Sequence, residues 1–343
     1  MDNFRELPPD ILRLLLREAG LDPSDFGKKA EDVWEKGKGE SDPAADFHFV
    51  FRQHSGPESA ERVAKLLPEY DVFIPEAIGW DKSKLEMLRS LSSGKLPVAS
   101  VLKDMGLSPQ DRDYERRKKE LERLYASNKA VAMVDVSNSD PLFDRMERNR
   151  KNYGFPALLS GSYEEALAYV GRTMQEFTAS QQERESLILK QIPLALREVT
   201  ASYPNLKQKS RLKILVELGT GHSPVYRALK EGKNQATSEF VPKGNILFHF
   251  RDEGMRRYQF GKEVNDDFLA KAVLEKLIYS NWALLEPILG ASFEVVDARK
   301  YINAFSPEEI KALFEKAKAS GQKFVEAFIS ASKEKQLLPP VSA

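Results

Sequence analysis

The sequence predicts an α/β protein with a mainly parallel central sheet flanked by helices, with helical insertions. Three observations predict it. The runs Asp46–Arg52, Asp71–Glu76, Lys129–Val136 and Arg211–Gly219 are rich in apolar residues over strand length, as strands covered on both faces are. Between them, leucine, isoleucine and valine recur at helical spacing. The first two strands and the helix between them fit within about 30 residues, the span of a βαβ unit, which joins parallel strands.

Taken in order, Pro8 and Pro9 open a helical stretch from Asp10 to Gly20, and the polar residues 37–43 mark a loop. Strand Asp46–Arg52 follows, then a helix that buries Val63, Leu66 and Leu67, then strand Asp71–Glu76. In the charged helix Tyr114–Tyr125 acids and bases alternate, which suits a solvated face. After strand Lys129–Val136, residues 162–202 read as helix throughout and lead to strand Arg211–Gly219. Asn245–Arg251 and Phe293–Asp297 read as further strands, with a helix over Asp266–Leu289 between them. Ser306 and Pro307 supply the N-cap and first turn of a last helix, and the tail Leu338–Ala343 should fray. The expected organisation is an N-terminal helical segment over residues 1–45 and an α/β domain over 46–300 with a helical insertion at about 140–205. C-terminal helices and the tail fill 301–343.

Composition narrows the function. A chain of 343 residues can bury a core without staples, and it has no cysteine. That excludes a thiol nucleophile, a cysteine zinc site and a disulfide framework, and fits a cytoplasmic protein. Lys plus Arg balance Asp plus Glu at 52 each, against the basic excess of nucleic-acid binders. No apolar run approaches the roughly 18–20 residues of a membrane span, and the amino terminus has no cationic segment leading into an apolar one. The expected partner is a small-molecule or peptide substrate, with neither nucleic acid nor membrane.

Four histidines are present, at 48, 54, 222 and 249. His54 follows the first strand, Glu76 ends the second, and His222 follows strand Arg211–Gly219 in the turn Gly219-Thr-Gly-His222. In a parallel sheet such strand ends lie on one edge, where α/β proteins place ligands. Two imidazoles and a carboxylate can hold one divalent metal ion or, without metal, activate water as a base. Arg184 stands between Glu183 and Glu185 on the long helical stretch, a setting that also suits a surface ion pair. His48 carries no assigned role. His249 reads as a core or edge histidine and the spare ligand, and Arg256-Arg257-Tyr258 as a solvated loop.

Order and context resemble the superfamily of TraB/PrgY proteins, Tiki metalloproteases, erythromycin esterases and ChaN-like haem-binding proteins. Its pattern is a strand ending in Gly-x-x-His, a strand ending in glutamate, a helical arginine, and a second Gly-x-x-His. Phe51-Arg-Gln-His54, Glu76, Glu183-Arg184-Glu185 and Gly219-Thr-Gly-His222 stand at those places, within about residues 46–260. The resemblance implies a hydrolase-like site of His54, Glu76, Arg184 and His222, acting on an ester, amide or peptide bond. His54, Glu76 and His222 would hold any metal, and Arg184 would steady a carboxylate or oxyanion. One departure is Phe51, which replaces the first glycine; the alternation Phe47, Phe49, Phe51 predicts that it is buried. The non-catalytic alternative is a ligand-binding protein of the same fold.

The same segment also resembles the first motif of Rossmann-like methyltransferases, with Ile214–Gly221 as the strand and glycine loop for S-adenosylmethionine and Ser223 at the third glycine. That fold needs an acidic residue ending the next strand. Glu239 lies at the right remove, but Lys233–Ser238 lacks a strand pattern.

Overall fold

Five strands form one sheet among the described residues: β1 (Ala44–Arg52), β2 (Val72–Ile74), β3 (Ala130–Val131), β4 (Arg211–Gly219) and β5 (Gln235–Val241). Their order is β3-β2-β4-β1-β5, and every neighbouring pair is parallel. The structure is a computed structural model and describes residues 44–52, 58–111, 114–152, 154–231, 234–241, 249–290 and 295–338. His54, the expected helices of residues 8–40 and the tail past Leu338 lie outside the described residues.

The helices are, in order, α1 (Glu58–Leu66), α2 (Lys82–Ser92), α3 (Val98–Asp104), α4 (Tyr114–Leu124), α5 (Pro141–Asn152), α6 (Phe155–Leu159), α7 (Tyr163–Ser202), α8 (Pro204–Lys207) and α9 (Ser223–Glu231). They continue as α10 (Phe250–Gln259), α11 (Asp266–Ser280), α12 (Trp282–Leu289), α13 (Val295–Asn303), α14 (Pro307–Ala319) and α15 (Gly321–Glu334). Two compact units result. Among the described residues, one gathers 44–145 and 181–241 and holds the sheet, and the other gathers 146–180 and 249–338 and is helical.

β1 and β2 share a sheet but do not touch. The later strand β4 lies between them, pairing Phe47 with Ile214 on one side and leaving Val72 beside Ile214 on the other. From Ile214 to Gly219 every residue of β4 is buried, which suits a central parallel strand covered on both faces. On one face Phe47, Phe49, Phe51, Ile214, Val216 and Leu218 pack against Ile188, Ile192, Leu196 and Val199, one side of the second half of α7. On the other, Val50, Phe73 and Leu215 meet α1, α2 and α4 through Val63, Leu88, Leu121 and Leu124. The helical unit has its own core, including Val170, Met174, Phe268, Val273, Phe314 and Phe328.

Several elements differ from the sequence expectation. Gln235–Val241 is a strand, although its first half carries no apolar run. It is the sheet's edge, paired with β1 alone, so one flank can stay polar. The third strand is only two residues, and past it the Ala132 N–H still donates to the Phe73 carbonyl at 3.0 Å. Phe250 and Arg251, expected in a strand, open helix α10, which also contains Arg256 and Arg257; Arg257 pairs with Glu253 one turn back at 2.8 Å. Residues 295–297 begin helix α13 rather than completing a strand. The helix expected over Asp266–Leu289 breaks at Asn281, whose side chain bonds the Leu277 carbonyl at 2.8 Å. The cap at Ser306 is as expected: its hydroxyl accepts from the Glu309 N–H at 3.3 Å, and Glu309 accepts from the Ser306 N–H at 2.7 Å.

Phe51 is fully buried, stacked between Phe49 at 5.7 Å and Phe240 at 5.1 Å with the edge of Tyr226 at 6.4 Å. Phe51→Gly should therefore lose about 4 kcal/mol, through a cavity and added chain entropy. Urea unfolding checks this, and an unchanged midpoint would mean that the ring is not part of the core.

Candidate functional site

The carboxyl ends of the parallel strands gather charge that the strands themselves bury. Arg52 ends β1, Glu76 stands two residues past β2, Asp135 follows β3, and Glu217 is the third-last residue of β4. His222 closes the one-turn 3-10 helix Thr220–His222 after β4, and Gln181, Arg184 and Glu185 lie on α7. The turn after β2 is fixed by Gly79, which sits at φ +75°; its N–H donates to the Val136 carbonyl at 2.7 Å. A Cβ there would come within 2.6 Å of the Phe143 ring, so the position suits glycine. This ties the Glu76 turn to Asp135, which also accepts from the Ala77 N–H at 3.3 Å.

Arg184 forks onto Asp135, with Nε to Oδ1 at 2.8 Å and Nη2 to Oδ2 at 2.6 Å, and Nη2 also reaches Glu76 Oε1 at 3.1 Å. It is buried rather than a surface ion pair. Burial works against its charge, but the hydrogen bonds and charges of Asp135 and Glu76 outweigh that and hold its pKa above the ordinary arginine value. The other oxygen of Glu76 accepts from the Gly219 N–H at 2.9 Å and lies 3.6 Å from Arg52 Nη2. Glu76 is thus held by two guanidiniums and a backbone amide.

His222 lies with Nε2 3.5 Å from Glu76 Oε1, and the Gln181 amide nitrogen is 3.1 Å from Nδ1. With the proton on Nε2, facing Glu76, Nδ1 is the acceptor for the Gln181 amide, whose nitrogen also lies 3.4 Å from Nε2. Burial lowers the imidazole pKa, and the positive charge of Arg184 lowers it further against the opposing pull of Glu76 and Asp135. The ring is neutral at pH 7.

Of the expected site residues, Glu76, Arg184 and His222 come together, and His54 lies outside the described residues. Sequence reasoning missed Arg52, Asp135, Gln181, Glu185 and Glu217. Asp135 and Glu217 had a signal: each is a carboxylate within an otherwise apolar parallel-strand run, where an unpaired charge would be costly. His48 is engaged at the far flank, bonded to Thr237 Oγ1 at 2.8 Å and 3.4 Å from Glu239. His249 belongs to the helical unit, where Nδ1 is 3.3 Å from Glu275, and a hydrogen bond to that carboxylate raises its pKa.

Of the three expected metal ligands, Glu76 and His222 are among the described residues and His54 is not. Both oxygens of Glu76 already accept hydrogen bonds, and a cation there would face Arg52 and Arg184. Among the described residues no group of three His, Asp or Glu side chains could hold a metal ion. The strand order differs from the one an S-adenosylmethionine site would use. β4 and β5 are separated by β1, unlike the adjacent first strands of a Rossmann half, and Glu239 is bound to Arg62 at 2.6 Å. No protein-family model, curated protein or solved structure matches the chain. No helix among the described residues is long and apolar enough to cross a membrane.

The depressed pKa of His222 has a stability consequence. Above the ordinary value of 6.5 neither folded nor unfolded imidazole binds a proton, but as pH falls through 6.5 only the unfolded one does, so the fold loses stability on acidification. His222→Gln should flatten that loss in urea titrations across the same range; an unchanged slope would place the proton uptake elsewhere.

Proposed function

We propose that the protein is a hydrolase that attacks an ester, amide or peptide carbonyl by metal-free general-base catalysis. His222 is the base, Glu76 orients it, and Arg184 holds Glu76 in place. One observation carries this: a neutral, buried imidazole set 3.5 Å from a carboxylate whose position two guanidiniums and a backbone N–H fix. Neutral imidazole can accept a proton, and a carboxylate on its Nε2–H stabilises the imidazolium that forms. The Gln181 amide now occupies the Nδ1 lone pair, so the attacking water takes the place of that amide. Arg184 is spent on Asp135 and Glu76, which makes it a positioning residue rather than the oxyanion partner that the resemblance implies.

The resemblance to the TraB, Tiki and erythromycin esterase superfamily supports the reaction class. The burial of His222 favours the non-catalytic alternative, a ligand-binding protein of the same fold, and an activity assay separates the two. Screened against simple esters, lactones and peptides, His222→Gln and Glu76→Gln should each lower kcat/KM by roughly 100- to 10,000-fold with unchanged circular dichroism. A chelator should leave the rate as it was. Hydrolysis that survives both substitutions sinks the proposal, and hydrolysis lost to the chelator replaces the base with a metal.

A further inference from the structure

On the sheet face opposite α7, Arg52 is shared by three carboxylates. Nη1 lies 2.9 Å from Glu120 Oε1 and 3.6 Å from Glu217 Oε1, and Nη2 lies 3.6 Å from Glu76 Oε2. All four side chains are largely buried: Arg52 is 3% exposed, Glu217 5%, Glu76 8% and Glu120 13%. One guanidinium cannot compensate three buried carboxylates, so what else each possesses decides the outcome. Glu120 also has Arg117 at 2.8 Å, and Glu76 also has Arg184 and the Gly219 N–H. Glu217 Oε1 makes no hydrogen bond.

The groups facing Glu217 are Arg52 from β1, Glu76 from the turn after β2, and Arg117, Glu120 and Arg123 from α4, with Glu61 of α1 acting on Arg123 behind them. Burial is the largest influence on Glu217 and pushes its pKa up to about 7, while Arg52 pulls the other way. Glu217 therefore gains and loses its proton around neutral pH, beside a guanidinium that it shares with Glu76.

We propose that Arg52 is a positioning residue for Glu76 and that Glu217 competes for it: protonated Glu217 leaves the guanidinium to Glu76, and ionised Glu217 draws it away. The proton goes to solvent, and no bond other than O–H breaks. With one cation withdrawn, Glu76 becomes a stronger acceptor for the Nε2–H of His222, which raises the basicity of the imidazole. This rests on the proposed hydrolase only in its consequence. The exchange of Arg52 between two carboxylates exists whether or not the protein turns over a substrate.

The test follows the Arg52 Nε–H resonance of the full-length ¹⁵N-labelled protein between about pH 5 and 9. Arg52→Lys, which removes the signal, assigns it. The resonance should move with a midpoint near 7 in the unmodified protein and stay still in Glu217→Gln. A flat resonance in the unmodified protein overturns the proposal even if Glu217→Gln fails to fold, and a midpoint that persists in Glu217→Gln overturns it as well. In the hydrolysis assay kcat/KM should climb as pH rises through the same midpoint, and Glu217→Gln should hold it at the lower plateau. A moving resonance in a protein that hydrolyses nothing would remove the hydrolase and leave the Arg52 exchange standing.

Discussion

The carboxylate of Glu76, pinned between guanidiniums that approach from opposite faces of the sheet, is the constraint on which the rest of the site depends. Arg184 comes from α7 on one face, and Arg52 ends β1 with its side chain on the other, where α4 supplies Glu120. Burying a carboxylate alone is prohibitive, and burying a guanidinium alone nearly so. Each arginine has a second carboxylate, Asp135 for Arg184 and Glu120 for Arg52, and Glu76 bridges the two pairs. The pairing also joins the layers: the same helix that buries Ile188, Ile192 and Leu196 against the sheet delivers Arg184 one turn earlier to the strand ends.

The parallel topology supplies the geometry at little cost. All five strands point their carboxyl ends the same way, and β4 enters between β1 and β2, so Gly219 falls beside Arg52 in register. The Gly219 backbone N–H reaches Glu76, and the chain then turns at once to present His222. Both oxygens of Glu76 and both of Asp135 accept hydrogen bonds from the protein, and the amide of Gln181 rests on the imidazole.

Much of this was legible in the sequence, and the limits have physical causes. Glu76 and His222 stand at strand ends, which a parallel sheet brings to one edge, whereas Arg184 was joined to them only by the resemblance, its own setting reading as a surface ion pair. The burial of Phe51 followed from alternation with Phe47 and Phe49. Arg52 was missed because it reads locally as the polar end of an apolar strand, and Glu217 because a carboxylate inside such a strand signals a buried partner without saying which. Only tertiary pairing shows that they face one another's neighbours across β1 and β4. Strand β5 was missed because an edge strand needs one apolar flank, not two. Phe250 and Arg251 were misread because aromatic alternation over a few residues does not distinguish a strand from the first turn of a helix.

The central claim is that Glu76 and Arg184 stabilise one another inside the fold. A double-mutant cycle with Glu76→Gln and Arg184→Met, read by urea unfolding, tests it most directly. The account predicts a coupling energy of about 1 kcal/mol or more: Arg184→Met strands Asp135 in the single and the double variant alike, so that loss cancels in the cycle and the Glu76–Arg184 contact remains. A coupling below about 0.5 kcal/mol, the scatter expected of independent sites, would contradict it.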